Sequence, residues 1–223
     1  MSEEKIGLPK QIWRCVASPR KAFESIQGED LWKGVLLIFI LSSVAAWAGF
    51  VYASKIPFNL PGEPRLPGTY GPYIDPEAFR RNIMTISALQ SGLRVVAGWL
   101  IPSALLHLSA SLFVGKGSLK RMLALTGFAS IPLIIQQLLR LIDAYTISVE
   151  EITSVIANRF LGLSFALQFM SNVLGVFTVF GIWAFALTVV AVSVNYKAPA
   201  KRALIAAGLA YLVFILLRLF LPI

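Results

Sequence analysis

The chain has little of what soluble enzymes are built from. Of its 223 residues only 14% are charged, one is a cysteine and one is a histidine. A lone thiol, Cys15, excludes an intrachain disulfide. One cysteine and one histidine, His107, cannot assemble a Cys/His metal centre. The nucleophile elbow, the zinc-protease helix signature and the Walker loop are all missing. No two carboxylates share an apolar run, so acid–base work within such a run lacks its pair of groups. The expectation is a protein that is not an enzyme and needs no cofactor.

What the chain does have is length of apolar sequence: 57% of residues are hydrophobic, gathered in runs of transmembrane length. Its formal charge of +9 would suggest nucleic acid in a soluble protein. Here the basic residues flank apolar runs, which fits anionic headgroups instead, and no nucleic-acid partner is expected. Roughly thirty polar residues precede the first run, and that run is too long for the apolar core of a cleavable leader. The fold class expected is all-α: a polytopic membrane bundle of five transmembrane helices with an N-terminal amphipathic interfacial helix.

Two segments follow from this reading. Residues 1–32 form a cytoplasmic amphipathic segment, in which Ile12, Trp13, Val16, Phe23 and Ile26 alternate with Lys10, Arg14, Arg20 and Lys21. Ser18 followed by Pro19 reads there as an N-cap and first helical position. Residues 33–223 form the membrane domain, with spans at about 33–52, 95–114, 122–139, 172–194 and 203–221. A tract rich in proline and glycine separates the first two spans, and Asp75-Pro76-Glu77 starts a helix that runs on into span two. The stretch 155–194 would be about 60 Å long as one helix. It is split into an interfacial piece and one span; two spans there would make six in all. Five spans put 12 of the 20 Lys and Arg on the N-terminal side, including the acid-free turns 115–121 and 195–202. The N-terminus is therefore expected in the cytoplasm and the C-terminus outside, in the cell membrane.

Several polar features lie within or beside spans. Ser103, His107 and Ser111 continue from Trp99 at four-residue intervals, and Thr126 and Ser130 make a shorter stripe in span three. Such residues glue helices together or line a path for a small solute. Pro102 and Pro132 deprive the carbonyls of Gly98 and Phe128 of their helical donors, which gives kinks or, as in transporters, broken helices. Arg94, Arg140 and Arg218 sit at span ends, where long basic side chains reach the interface. Cys15, on a membrane-proximal segment, is either a small packing residue or a lipidation site.

The turn Gly115-Lys116-Gly117-Ser118-Leu119-Lys120-Arg121, followed by Gly127, Phe128, Ala129 and Pro132, resembles the opening of the third span in the Yip (Ypt/Rab-interacting) domain family. Ser18, Pro19 and Phe23 resemble the family's Ser-Pro-x-x-x-Phe element, and the likeness covers about residues 8–221. It implies five spans, a cytoplasmic N-terminus and no catalysis. Eukaryotic members act in vesicle traffic and membrane shaping, and carry Asp-Leu-Tyr-Gly-Pro before span one. Here Asp30, Leu31 and Trp32 begin that element as a candidate partner-binding site, but Lys33 and Gly34 replace its Gly-Pro. The chain looks more like the compact prokaryotic members. Three functions compete: a membrane scaffold or adaptor that assembles with itself or other membrane proteins, a transporter or channel subunit using the polar stripe, and an intramembrane enzyme.

Overall fold

The computed structural model describes residues 7–56, 75–152 and 178–220. The proline- and glycine-rich tract, the 155–170 segment and the expected start of span four at 172 lie outside the described residues. Those described form helices and turns, with no strand among them.

The chain opens with two short helices, α1 (Leu8–Ala17) and α2 (Pro19–Ser25). Proline stands in the first turn of each, where its missing N–H costs nothing. Ser18 is the N-cap of α2, yet its hydroxyl makes no capping bond. The two helices do more than rest on headgroups. Cys15, Ala22, Phe23 and Ile26 are fully or almost fully buried in the same apolar core as the later helices. Trp13 points away from that core, 70% exposed.

A single 3-10 turn, Gly28–Asp30, leads into α3 (Leu31–Ser54). Asp30 caps this turn by accepting from the Gln27 amide at 3.0 Å. The helix α4 (Pro76–Phe113) is capped by the Asp75 carboxylate, which accepts from the Glu77 amide. It runs 38 residues without interruption, through Pro102. That is about 57 Å, nearly twice the hydrocarbon thickness. Among the described residues, span three departs from a continuous helix. It consists of α5 (Leu119–Ala129) and α6 (Ile131–Thr146), bent by 42° at Ser130. Pro132 lies in the first turn of α6 rather than inside a kinked helix. The bend ends one hydrogen-bond ladder and begins another, so the proline removes no donor that α6 requires. The last two helices are α7 (Val179–Asn195) and α8 (Ala200–Phe220).

The helices Gly28–Ser54, Glu77–Phe113 and Ala200–Arg218 are each long and apolar enough to cross a bilayer, and the bent α5–α6 pair makes a fourth candidate. Helix α7 is apolar but has only 17 residues. Phe39, Leu93, Leu112, Ile142 and Leu212 are more than half exposed. Soluble monomers rarely expose apolar surface on this scale; lipid-facing helices do so by necessity.

Side-chain contacts show where each helix begins and ends. The start of α5 lies beside the N-terminal helices, where Arg121 reaches the carbonyl of Ile26 at 2.8 Å. The end of α6 lies beside the end of α3, where the Lys55 ammonium donates to the Tyr145 and Ile147 carbonyls at 2.6 and 2.9 Å. The α5–α6 pair therefore runs the full length of the bundle and does not turn back. Helix α7 returns to the first end, where the Asn195 side-chain amide donates to the Ser118 carbonyl at 3.1 Å. The N-terminal helices and both basic turns thus gather at one end of the molecule.

Candidate functional site

The four-residue stripe on α4 does not stay on one face. Each step of four advances the helix by about 40° beyond a full turn, so Trp99 and Ser111 differ by about 120°. The structure accordingly divides the stripe into two clusters.

Trp99 and Ser103 face α5. The Trp99 indole N–H lies 3.1 Å from Thr126 Oγ1 and 3.3 Å from the Leu123 carbonyl. Ser103 Oγ lies 2.7 Å from Thr126 Oγ1 and bonds back to the Trp99 carbonyl at 2.6 Å. Thr126 also donates to its own helix at the Met122 carbonyl, at 2.9 Å. Ser130 donates to the Thr126 carbonyl at 2.9 Å, satisfying backbone at the bend. Every hydroxyl in this seam has a partner on its own or the facing helix. The cavity beside it, between Gly98, Pro102, Ser103, Ser130 and Thr188, measures about 40 Å³. That is room for a few waters, against about 300 Å³ or more for a ligand pocket. A larger surface depression of about 360 Å³ lies at the other end, beside Gln136, Arg140, Asp143 and Phe180. It includes no member of the stripe.

His107 and Ser111 belong to the second cluster, at the basic end. The Tyr196 hydroxyl, just past the end of α7, lies 2.5 Å from His107 Nδ1 and 3.2 Å from the His107 carbonyl. Sequence reasoning missed Tyr196, because nothing local links it to a residue on α4. The tyrosine ring also accounts for a motif glycine. A Cβ at Gly117 would stand 2.5 Å from Tyr196 Cε1. Gly115 is required for a different reason: its φ of +147° suits only a residue without a side chain. The turn after α7 is closed by Lys197 at φ 51° and by Ser193, whose hydroxyl donates to the Ala198 carbonyl at 2.7 Å.

Gly127 marks a third kind of contact. A Cβ there would lie 2.6 Å from the Gly34 Cα, so α3 and α5 touch backbone to backbone. Gly34 is one of the two residues that depart from the family's pre-span element, and here it makes this crossing possible. Phe128 and Pro132 are buried beside it, Phe128 completely.

Of the candidate partner-binding residues, Asp30 is already engaged. Besides capping, it pairs with the Lys33 ammonium at 2.7 Å, and Lys33 also donates to Gln11 of α1 at 3.0 Å. Leu31 is half-buried in the packing, while Trp32 is 61% exposed. Arg121, the last residue of the basic turn, spans two elements. Its guanidinium donates to the carbonyls of Ile26, Phe23 and Glu24, where α2 ends and its orphan acceptors need donors. Cys15 is wholly buried, and that burial pushes its thiol up to about 12. In this structure it is a packing residue with no access for an acyl donor. Among the described residues no group of three or more His, Cys, Asp or Glu side chains could hold a metal ion.

In this structure Gly117, Gly127 and Phe128 of the glycine-rich turn and the Gly-Phe-Ala-x-x-Pro step sit in close packing, and Gly115 meets a backbone demand. Comparison with known proteins agrees with the resemblance those elements carry. An uncharacterized protein of the archaeon Methanocaldococcus jannaschii is 29% identical over 133 residues, covering 59% of this chain and 86% of that protein. No solved structure matches the chain. The Yip1 domain profile matches residues 13–221, nearly the whole length, and the chain is therefore a multi-pass membrane protein of the Yip1 domain family.

Proposed function

We propose that the protein is a non-enzymatic scaffold or adaptor that crosses the cell membrane five times, with its N-terminus in the cytoplasm. The observation that carries this reading is the closed hydrogen bonding of the Trp99–Ser103–Thr126 seam. Its polar groups are spent on holding α4 to α5, which leaves a space of about 40 Å³ and no group free for a substrate. Five passes between two ends agree with the side on which the basic turns fall. Residues 1–32 then act as the cytoplasmic segment and 33–223 as the membrane domain. The basic end, with Trp13 and Trp32 exposed beside it, faces anionic headgroups. The partners are other membrane proteins or further copies of the chain. Crosslinking in native membranes followed by pull-down tests this: defined higher-mass adducts are expected. Recovery of monomer alone, where known complexes are captured, overturns the scaffold.

A transporter or channel subunit is the second reading, motivated by the helix break at Ser130 beside a polar-lined cavity. It requires solute flux in liposomes that His107→Leu alters. The scaffold requires no such flux.

A further inference from the structure

Arg94 of α4 and Arg218 of α8 each end an apolar run, and singly each looks like an ordinary interfacial arginine. The structure puts them together. Helices α4 and α8 pack against each other in opposite directions, and Ser109 Oγ donates to the Ala206 carbonyl at 3.0 Å, which fixes their register. From that bond, at 1.5 Å per residue, Arg94 lies about 22 Å and Arg218 about 18 Å toward the end opposite the basic turns. The two therefore share a level to within about 4 Å along the axis. They are close enough that the charge of Arg94 acts on Arg218. Arg218 is half-buried and its guanidinium stands 5.9 Å from the Phe214 ring centroid, while Arg94 is exposed.

No carboxylate answers this pair among the described residues. The ion pairs there are Arg20–Glu24, Lys33–Asp30 and Arg81–Glu77. Neither arginine donates to any described carbonyl or hydroxyl. On α3 the same level is met by Ser42, whose hydroxyl is already given to the Gly92 carbonyl at 3.1 Å. Two adjacent cations beside lipid repel one another, and an unpaired charge there is costly. A phosphate diester relieves both problems: it is anionic, and its oxygens suit the guanidinium fork. Arg218 stands about 24 Å along α8 from Arg202 of the second basic turn, about 6 Å short of one hydrocarbon thickness, so a headgroup reaches the pair where the bilayer thins beside α8. Helices α3 and α4 continue outward past this level.

We propose that Arg94 and Arg218 jointly hold the phosphate of an anionic phospholipid in the leaflet opposite the basic turns. The site stands apart from the scaffold reading and needs only that the helices lie in a bilayer. Native mass spectrometry of the detergent-purified full chain, titrated with phosphatidylglycerol, phosphatidylcholine or inorganic phosphate, tests it. Phosphatidylglycerol adducts are expected at about tenfold lower lipid concentration for the wild type than for Arg94→Gln/Arg218→Gln. Phosphatidylcholine, with its own cation, is expected to bind more weakly, and millimolar phosphate is expected to leave the lipid in place. Arg81→Gln, whose guanidinium is paired with Glu77 about 20 Å further out along α4, is the control and leaves the adducts unchanged. If the glutamine pair does not purify as folded protein, Arg94→Lys/Arg218→Lys keeps the charges but loses the forks, and intermediate retention is expected. Equal phosphatidylglycerol binding by wild type and the substituted pair overturns the site. Equal phosphatidylcholine binding overturns its anionic selectivity, and displacement by inorganic phosphate reassigns it to a free anion.

Discussion

At the end that carries both basic turns, the helices meet through backbone and tightly fitted rings: Gly34 on Gly127, Tyr196 on Gly117, Arg121 on three carbonyls at the end of α2. Toward the other end Gly49 of α3 abuts Ser87 and Ser91 of α4, and beyond it the helices meet through the tips of long side chains. Tyr52 donates to Asp143, Trp47 to the Tyr145 hydroxyl at 2.9 Å, Lys55 to the carbonyls past α6, and Arg80 to the Ser54 carbonyl at 2.7 Å. The first kind of contact has no free volume and no alternative geometry. The second rests on exposed or part-buried polar groups, and several bonds share it. The comparison teaches that α3 and α5 are registered by close backbone contact at the basic end, and that long side chains fasten α3 to α6 at the opposite end.

The sharpest way to break that comparison is to force side-chain volume into the backbone contact. Gly127→Leu requires α3 and α5 to separate, because even a Cβ would stand 2.6 Å from the Gly34 Cα. A cost at or above about 3 kcal/mol is expected, seen as loss of the monodisperse species or a large fall in thermal midpoint in detergent. A variant as stable as wild type would show that this crossing does not specify the bundle.

A smaller effect is expected from Arg121→Met, which leaves the Ile26 carbonyl without its donor and removes the second donors of Phe23 and Glu24. Bonds from a charged donor contribute about 2 kcal/mol, or roughly 30-fold in the docking equilibrium of α1 and α2. Cys15 reports on that equilibrium. With its thiol held near 12 rather than 9, it is protonated and shielded at pH 8 while docked. Maleimide labelling should be slow in the wild type and clearly faster in the variant. The sign of the pH dependence follows: the raised thiol leaves docking unaffected below about pH 9 and weakens it as pH climbs toward 12, because only the undocked form then releases its proton. Equal labelling rates would show that the clamp contributes nothing.

Within the α4–α5 seam, Thr126→Val removes the hydroxyl that accepts from Trp99 and pairs with Ser103 but keeps the shape. Both residues retain a carbonyl partner. The expected cost is about 1 kcal/mol, in the range of interhelical bonds within membranes, measured by reversible unfolding in mixed micelles. A loss as large as that of Gly127→Leu would move the specifying contact from the glycine crossing to the hydroxyl seam.

Which of these contacts could be read from sequence depends on how far apart their members lie. Apolar length marks runs that fall on α3 and α8, and Asp75-Pro76-Glu77 marks where α4 starts. Gly115 is legible as a reversal because a turn's demand on φ is local. Gly117 and Gly127 can be recognised as motif members, but the reason for each, Tyr196 and Gly34, lies about 80 and 90 residues away. Pro132 signals an irregularity, and whether it bends a helix or starts a new one is settled by Ser130 and the packing around it. The polar stripe is the instructive case. Reading every fourth residue as one face ignores the drift of a 3.6-residue helix, and so Trp99 and Ser103 part from His107 and Ser111.

Tyr52→Phe tests the comparison from the weak side. The Tyr52 hydroxyl donates to the Asp143 carboxylate, which ought to be a strong bond by chemistry alone. Two facts argue that little is lost with it. Asp143 is exposed, so water replaces the phenol as donor once it is gone, and the carboxylate is never left dry. Lys55 and Trp47 also continue to hold α3 to the end of α6, so the helices have no reason to part. The expected cost is about 0.5 kcal/mol, at the low end for a hydrogen bond, with no change in Cys15 labelling. A drop as large as that of Arg121→Met would mean that this end arranges the helices as much as the basic end does. Increased labelling at Cys15 would mean more: that a change at one end of the bundle is transmitted along α3 to the docking of α1 and α2 at the other.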